Sequence, residues 1–312
     1  MLNIRRFVKG ADEPLWVEVL NAARKEREDW RAITEEELIA DAKRPSFDFE
    51  GRFIGELDGK AVGVVHAKVD KMSEDKKGFV HFDVVPEFRG CEIETALIET
   101  ALGALKARGM TIAQTWVDSN ERERIELLKG LHFRHVRLFS VMEMELAGVS
   151  QKIGENTQVA IRPLRKELEG DIQLFNWLSN ENYKEDLDYC PITLEETHHF
   201  LFCDPYLKEK EILFAVLNGE SLGCVGVGVD EKYNLEKKVQ AGEVFTIGVL
   251  KAHRRKGIGA RLMLHGLERL RAKGMTKAIL GVEDDNPTQA IRLYEKLGFK
   301  VKRREVILER EV

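Results

Sequence analysis

Residues 84–133 and 249–299 of this 312-residue chain carry the same landmarks in the same order, and that repetition restricts the fold more than any other feature. Val84-Val85-Pro86-Glu87-Phe88-Arg89 aligns with Val249-Leu250-Lys251-Ala252-His253-Arg254 at an offset of 254 − 89 = 165. The same offset places Arg108-Gly109-Met110-Thr111 on Lys273-Gly274-Met275-Thr276, and Val117 on Val282. One residue further on, Gly130-Leu131-His132-Phe133 falls on Lys296-Leu297-Gly298-Phe299, because 299 − 133 = 166. A shared order over a whole half implies two copies of one α/β unit, which agrees with the length at ~100–200 residues per domain.

Hydrophobic period assigns the elements of the first copy. A strand is expected over 3–7, helices over 13–24 and 35–42, and strands over 52–57, 61–69 and 79–85. A helix over 92–107, a strand over 111–117, a short helix over 122–129 and a closing strand over 136–146 complete it. The second copy repeats this order over 159–309, and Leu217-Asn218-Gly219-Glu220 between two apolar runs signals a hairpin. The expected division is one unit over 1–146, a polar linker over 147–158 and a second unit over 159–312.

Composition limits the partners. A net charge of −5 and a pI near 6.0 argue against a general nucleic-acid binder. No stretch is long and apolar enough to span a bilayer, and Met1-Leu2-Asn3-Ile4-Arg5-Arg6 lacks the apolar core of a signal peptide. Cys91, Cys190, Cys203 and Cys224 form no Cys-x-x-Cys pair and no zinc-site spacing, so a reduced cytoplasmic protein without a metal is the expectation.

Chemistry concentrates after the apolar strand expected over 243–249. Arg254-Arg255-Lys256-Gly257-Ile258-Gly259-Ala260 opens a helix expected over 258–270, whose Ile258, Leu262, Met263, Gly266, Leu267 and Leu270 make one apolar stripe. The first N–H groups of a helix have no partner within it, and the helix dipole adds positive charge there. Two glycines let a ligand approach the backbone. A basic turn of this kind suits a phosphorylated cofactor. It is equally consistent with an ordinary strand-to-helix turn whose basic residues are solvated. The spacing is neither that of a Walker A loop nor Gly-x-Gly-x-x-Gly.

Arg-x-x-Gly-x-Gly (Arg254, Gly257, Gly259) resembles the pyrophosphate loop of the GCN5-related N-acetyltransferases (GNAT superfamily), which bind acetyl-CoA. Downstream, Asn286 after a strand over 276–282, and Tyr294, Gly298 and Phe299 in a Tyr-x-x-x-Gly-Phe pattern, match the same family in order and separation. The chain is similar in architecture to the mycothiol synthases, two-copy members, without matched acceptor residues. The resemblance implies two tandem α/β units, each a mixed, mostly antiparallel twisted sheet flanked by helices. It also implies acetyl transfer from acetyl-CoA to a primary amine by direct attack in the C-terminal unit. Other acyl-CoA transfer and non-catalytic CoA binding stay open, as does a homodimer.

Roles follow from that resemblance. Arg254, Arg255, Lys256, Gly257, Ile258, Gly259 and Ala260 would hold the pyrophosphate, and Ile247, Gly248 and Val249 would pair with the pantetheine arm like an added strand. Asn286 would hydrogen-bond the pantetheine or cap the following helix, with Pro287 in its first turn. Glu243, a carboxylate opening an apolar strand, is the expected base, and Tyr294 the expected acid. In the first copy, Glu92 and Glu94 stand where Gly257 and Gly259 stand in the second, and Leu128 replaces Tyr294. The N-terminal unit is therefore expected not to bind acetyl-CoA. Residues 179–206 are expected to cover the acceptor. Their Glu181, Glu185, Asp186, Asp188, Glu195 and Glu196, with Tyr183, Tyr189 and Tyr206, would suit a cationic small-molecule or peptide amine, or form only a solvated acidic face.

Overall fold

Two-residue hairpins set the early strand pairings in both copies. Asp58 and Gly59 adopt φ of 50° and 82°, and Asn218 and Gly219 adopt 51° and 86°. Left-handed backbone at both turn positions matches the natural twist of paired strands. The computed structural model of the chain describes residues 1–70, 75–90, 92–149, 158–186, 188–286 and 288–312. The expected linker lies largely outside these residues, as do Cys91 and Pro287.

The first unit comprises Met1–Leu138 together with Glu305–Val312. Its elements are β1 (Leu2–Arg6), α1 (Glu13–Arg24), α2 (Glu35–Asp41), β2 (Arg52–Leu57), β3 (Lys60–Val69), β4 (Lys77–Val84), α3 (Ile93–Ala107), β5 (Ile112–Asp118) and α4 (Arg122–Gly130). The strand β12 (Lys300–Glu311) closes the sheet, pairing Glu305–Glu311 antiparallel with β5. Strand order is β1-β2-β3-β4-β5-β12, and only β4 and β5 run parallel. Ile93, Leu97, Ile98, Ala101, Leu102 and Leu105 form the stripe by which α3 covers one face.

The second unit is Phe139–Arg304. Here β6 (Arg134–Glu145), β7 (Ala160–Pro163), α5 (Glu169–Tyr183), α6 (Leu194–Phe202), β8 (Glu211–Leu217), β9 (Glu220–Gly228), α7 (Glu231–Lys237), β10 (Ala241–Val249), α8 (Ile258–Ala272), β11 (Lys277–Glu283) and α9 (Ala290–Leu297) give the order β6-β11-β10-β9-β8-β7. Again one pair, β10 and β11, is parallel. The expected stripe of α8 is buried against the sheet. Ile172, Phe175 and Leu178 of α5, with Leu201 of α6, bury Ile212, Phe214 and Cys224 on the other face.

Each first helix is tied to its first strand by a two-pronged ion pair. Arg5 reaches Asp12 at 2.6 and 2.9 Å, and Arg162 reaches Asp171 at 2.8 and 3.0 Å. The unit boundaries differ from the expected division at 146 and 159. The chain passes into the second unit at Phe139 and back into the first at Glu305, and 305 − 139 = 166 is the offset of the repeat itself. The closing strands are thus exchanged between copies at matching positions. Two strands with the same pattern satisfy either sheet, so alternation alone could not assign them.

Candidate active site

The parallel ladder between β10 and β11 stops after three residues, Ala241–Glu243 against Lys277–Ile279. Pairing of β10 with β9 continues to Val249, but its register jumps between Val244↔Val227 and Thr246↔Gly226, leaving Phe245 as an extra residue. A bulge bends and twists its strand. Past it, the N–H of Ile247 donates to the Tyr183 hydroxyl at 3.2 Å, and its carbonyl accepts from that hydroxyl at 3.3 Å. Both groups of Ile247 therefore point away from β9, along the edge that β11 no longer covers.

The basic turn lies directly beyond this edge. Arg255 (φ 63°) and Gly257 (φ 81°) are left-handed, and Gly257 leads into α8. Among the described residues, no hydrogen bond occupies the backbone N–H groups of 255–260. The first turn of α8 carries no acidic residue. Six open amides at a helix start, with no Cβ at positions 257 and 259, make an anion cradle.

The side chains divide differently from expectation. Arg254 does not point into the cradle: its Nε donates to the Val249 carbonyl at 2.9 Å and its Nη1 pairs with Glu185 at 2.9 Å. Lys251 shares that carboxylate at 2.5 Å. Lys256 bonds the Ala252 carbonyl at 3.1 Å. The cradle is thus built from amides, with Arg254 fastening the loop to the strand. Asn286 does not cap α9, which starts at Ala290; its Oδ1 accepts from the Thr288 N–H at 2.8 Å and from its hydroxyl at 2.5 Å.

Tyr294 is buried on α9, edge-to-face with Phe299, and its hydroxyl makes no hydrogen bond among the described residues. Burial first, then the neighbouring Tyr183 and Asp186, push its phenol well above the ordinary value, so it stays protonated at neutral pH. Asp186 follows α5; burial, Glu283 and Glu185 raise its carboxyl against the pull of Arg254. Glu243 stands apart from this group. It lies where β10 still pairs with both neighbours, and neither a hydrogen bond nor a charge interaction links it to Tyr294. It lies four positions before Ile247, ~13 Å along a strand. Glu243 keeps an exposed edge, yet the surrounding protein, then Asp230 and Asp204, raise its carboxyl. A cavity of about 290 Å³ lined by Pro163, Lys166, Glu167 and Lys210 contains none of these groups.

The sequence pattern of the Acetyltransferase (GNAT) family matches residues 16–133 and again 172–299. The chain belongs to this family. A mycothiol acetyltransferase of Corynebacterium glutamicum (strain R) is 29% identical over 238 residues, 73% of each chain. A GCN5-related N-acetyltransferase from Sphaerobacter thermophilus aligns at TM-score 0.72 and 21% identity, covering 99% of this chain and 95% of that one. A tandem GNAT protein from the clavulanic acid biosynthesis pathway aligns at TM-score 0.77 and 14% identity, covering 100% and 98%. The chain is therefore a tandem GNAT acetyltransferase, and the family uses acetyl-CoA. Among the described residues no helix is long and apolar enough to cross a membrane.

The two GNAT copies share the loop backbone and differ in what occupies it. Gly90 (φ 75°) and Glu92 (φ 61°) repeat the left-handed positions of Arg255 and Gly257. Arg89 donates its Nε to the Val84 carbonyl at 3.1 Å, just as Arg254 does to Val249. That bond is therefore part of the scaffold. In the first copy, however, the Glu94 carboxylate accepts from the Gly90 N–H at 3.1 Å, so the cradle holds its own anion. The ladder of β4 with β5 also stops after three residues, Lys77–Phe79 against Ile112–Gln114, but the strand beside it is not bent. The register of β3 with β4 runs unbroken from Gly63↔Val84 to Val69↔Gly78, without a bulge. Arg124 of α4 donates to the carbonyl of Phe82, the counterpart of Ile247.

Tyr183 and Asp186 acquire a place that sequence reasoning did not give them individually. They were two among many acidic and tyrosine residues over 179–206. The structure ties four of the other seven elsewhere: Glu181 to Lys184, Glu185 to Lys251 and Arg254, Glu196 in the capping box of α6, and Tyr189 to Asn180. The end of α5 against the bulge is what singles out Tyr183 and Asp186.

Proposed function

We propose that the second unit moves an acetyl group from acetyl-CoA to a primary amine, and that the first unit binds no cofactor. The open amides of 255–260 beside an uncovered strand edge carry this reading. Arg255, Lys256, Gly257, Ile258, Gly259 and Ala260 hold the diphosphate, Arg254 braces the loop, Ile247, Gly248 and Val249 present the edge for the pantetheine arm, and Asn286 flanks it. Relatives named mycothiol acetyltransferases support a small-molecule acceptor. The absence of any disulfide joining Cys190, Cys203 and Cys224 supports a cytoplasmic setting.

Bound acetyl-CoA supplies a thioester carbonyl and a thiolate leaving group. An alkylamine has a pKa near ~10.4 and arrives protonated; Glu243, reached through water, removes a proton so that the nitrogen lone pair is free. Ile247 N–H donates to the carbonyl oxygen as charge develops there. As the carbon–nitrogen bond forms and the carbon–sulfur bond breaks, Tyr294 protonates the sulfur, and the second proton of the attacking nitrogen passes through water to restore the phenol. Burial pushes the Cys224 thiol, across the ladder from Gly248, up to about 12, which favours direct attack over an acyl-cysteine.

Tyr294→Phe is expected to lower kcat about a hundredfold, the low end for a general acid because a thiolate leaves readily. Free-CoA release from an amine panel reads this, and wild-type turnover by the variant removes the role. Glu243 works as base only when ionised, so its activity falls as pH drops through its raised pKa. Glu243→Gln should abolish that acidic limb in a kcat/KM profile. If the limb persists in Glu243→Gln and vanishes in Asp186→Asn, Asp186, the carboxylate beside Tyr294, is the base instead.

A further inference from the structure

The last turn of α5 holds polar groups that the reaction above leaves unused. The Tyr183 hydroxyl contacts Thr246 Oγ1 at 3.0 Å, accepts from the Ile247 N–H at 3.2 Å and meets the Ile247 carbonyl at 3.3 Å. A tyrosine has one proton to give, and a 3.3 Å contact is long for O–H···O, whose usual distance is ~2.7–2.8 Å. The hydroxyl is thus held in place by weak, exchangeable bonds at the one amide that the acyl carbonyl needs.

Its neighbour gives a second, independent indication. Asn182 is only 7% exposed, and neither its Oδ1 nor its Nδ2 has a hydrogen-bond partner. Its side chain packs against Gly248, where an added Cβ would fall 2.3 Å from Nδ2. Buried amides are nearly always satisfied, and an exception calls for a missing partner. Here the unpartnered atoms sit against the strand segment proposed to face the acyl group.

We infer that Tyr183 is a catalytic hydrogen-bond donor, its O–H turning from the Ile247 carbonyl to the acyl carbonyl oxygen so that this oxygen lies between the Ile247 N–H and the tyrosine. The inference rests on the acetyl-CoA reading of the site. As the amine attacks, the carbonyl π pair moves onto oxygen, and a donor to an anionic oxygen is stronger than one to a neutral amide. No proton leaves Tyr183; it only donates a hydrogen bond, while the sulfur is protonated by Tyr294. Burial raises the Tyr183 phenol, so it remains a donor at neutral pH. The silent copy sharpens the contrast. At the equivalent Phe82, the carbonyl is held by the Arg124 guanidinium, a half-buried cation paired into the scaffold, where the second copy has a neutral hydroxyl free to turn.

The test compares calorimetric binding of acetyl-CoA and of CoA to the intact protein. Tyr183→Phe should weaken acetyl-CoA about three- to tenfold while leaving CoA unchanged, the scale of one hydrogen bond. With an accepted amine, its kcat should fall about a hundredfold with little change in the KM for acetyl-CoA. Thr246→Val, which removes the resting partner of the hydroxyl, should retain the preference for acetyl-CoA. If Tyr183→Phe binds acetyl-CoA as tightly as wild type or more tightly, the hydroxyl is only a placeholder and the inference fails. Equal loss of CoA and acetyl-CoA affinity would also overturn it, as a packing effect. Wild-type protein binding neither ligand overturns the cofactor site itself, an outcome distinct from both.

Discussion

Gly259→Glu is expected to abolish the stabilisation of this protein by acetyl-CoA while leaving the apoprotein folded. The substitution copies Glu94 of the first copy, whose carboxylate bonds the loop amide of Gly90. Room for the side chain exists: an added Cβ at 259 meets Leu293 at 3.5 Å and Val249 at 3.8 Å, both ordinary contacts. An acidic residue in the first turn of α8 also suits the helix dipole. The cofactor diphosphate would meet that carboxylate in the same cradle. Two unit charges ~4 Å apart repel by about 4 kcal/mol at an effective dielectric of 20, which weakens binding about a thousandfold. Ligand at 100 times Kd stabilises wild type by about 2.7 kcal/mol, whereas the same concentration gives the variant less than about 0.1 kcal/mol. The melting curve should therefore shift in wild type and stay still in Gly259→Glu. A full shift in the variant places the diphosphate elsewhere.

The repeat made most of the scaffold readable in advance, because period and turn chemistry are local. The Asn218-Gly219 hairpin forms as its residues require, and the stripe from Ile258 to Leu270 is the buried face of α8. Three features escaped. The exchange of β6 and β12 depends on which sheet each strand joins, and two copies of one strand give the same pattern for either. The bulge at Phe245 is a mismatch between two strands and leaves no mark on one. The helix α7, Glu231–Lys237, buries no residue, so no apolar stripe announces it.

The open turn of the candidate site was legible where backbone alone shapes it and obscure where side chains choose among partners. Gly257 and Gly259 point to a cradle because their lack of a Cβ is itself the property required. Arg254 carries the same charge whether it faces a phosphate or Glu185, and only the neighbour decides. Tyr183 follows from no spacing, since its meaning comes from the bulge that faces it.

Asp83→Asn in the first unit should cost about 3–5 kcal/mol of stability, the usual penalty for stranding buried charge. Asp83 is buried and receives Arg24 through two bonds, 2.9 and 2.7 Å. Arg124, whose guanidinium also closes the strand edge at Phe82, lies in the same field. Burial alone would raise the Asp83 carboxyl, but the charge and hydrogen bonds of Arg24, then the charges of Arg124 and Arg27, hold it below its ordinary value. A group with a depressed folded pKa stabilises fully above its unfolded value, ~3.9 for Asp, and that contribution disappears as pH falls through the folded value. The asparagine keeps the shape and removes the charge, leaving Arg24 without its counter-ion at every pH and Arg124 with Glu121 alone. Urea unfolding at neutral pH should show the first unit losing stability while the second keeps its own transition. Below pH ~3.9 the gap between wild type and variant should narrow, because the unfolded wild-type chain then takes up a proton that the folded carboxyl resists, and it closes as pH falls through the folded value. Arg24→Met combined with Asp83→Asn should recover part of the loss, since removing both partners leaves less unpaired charge. A neutral Asp83→Asn would mean that this ion network does not stabilise the first unit.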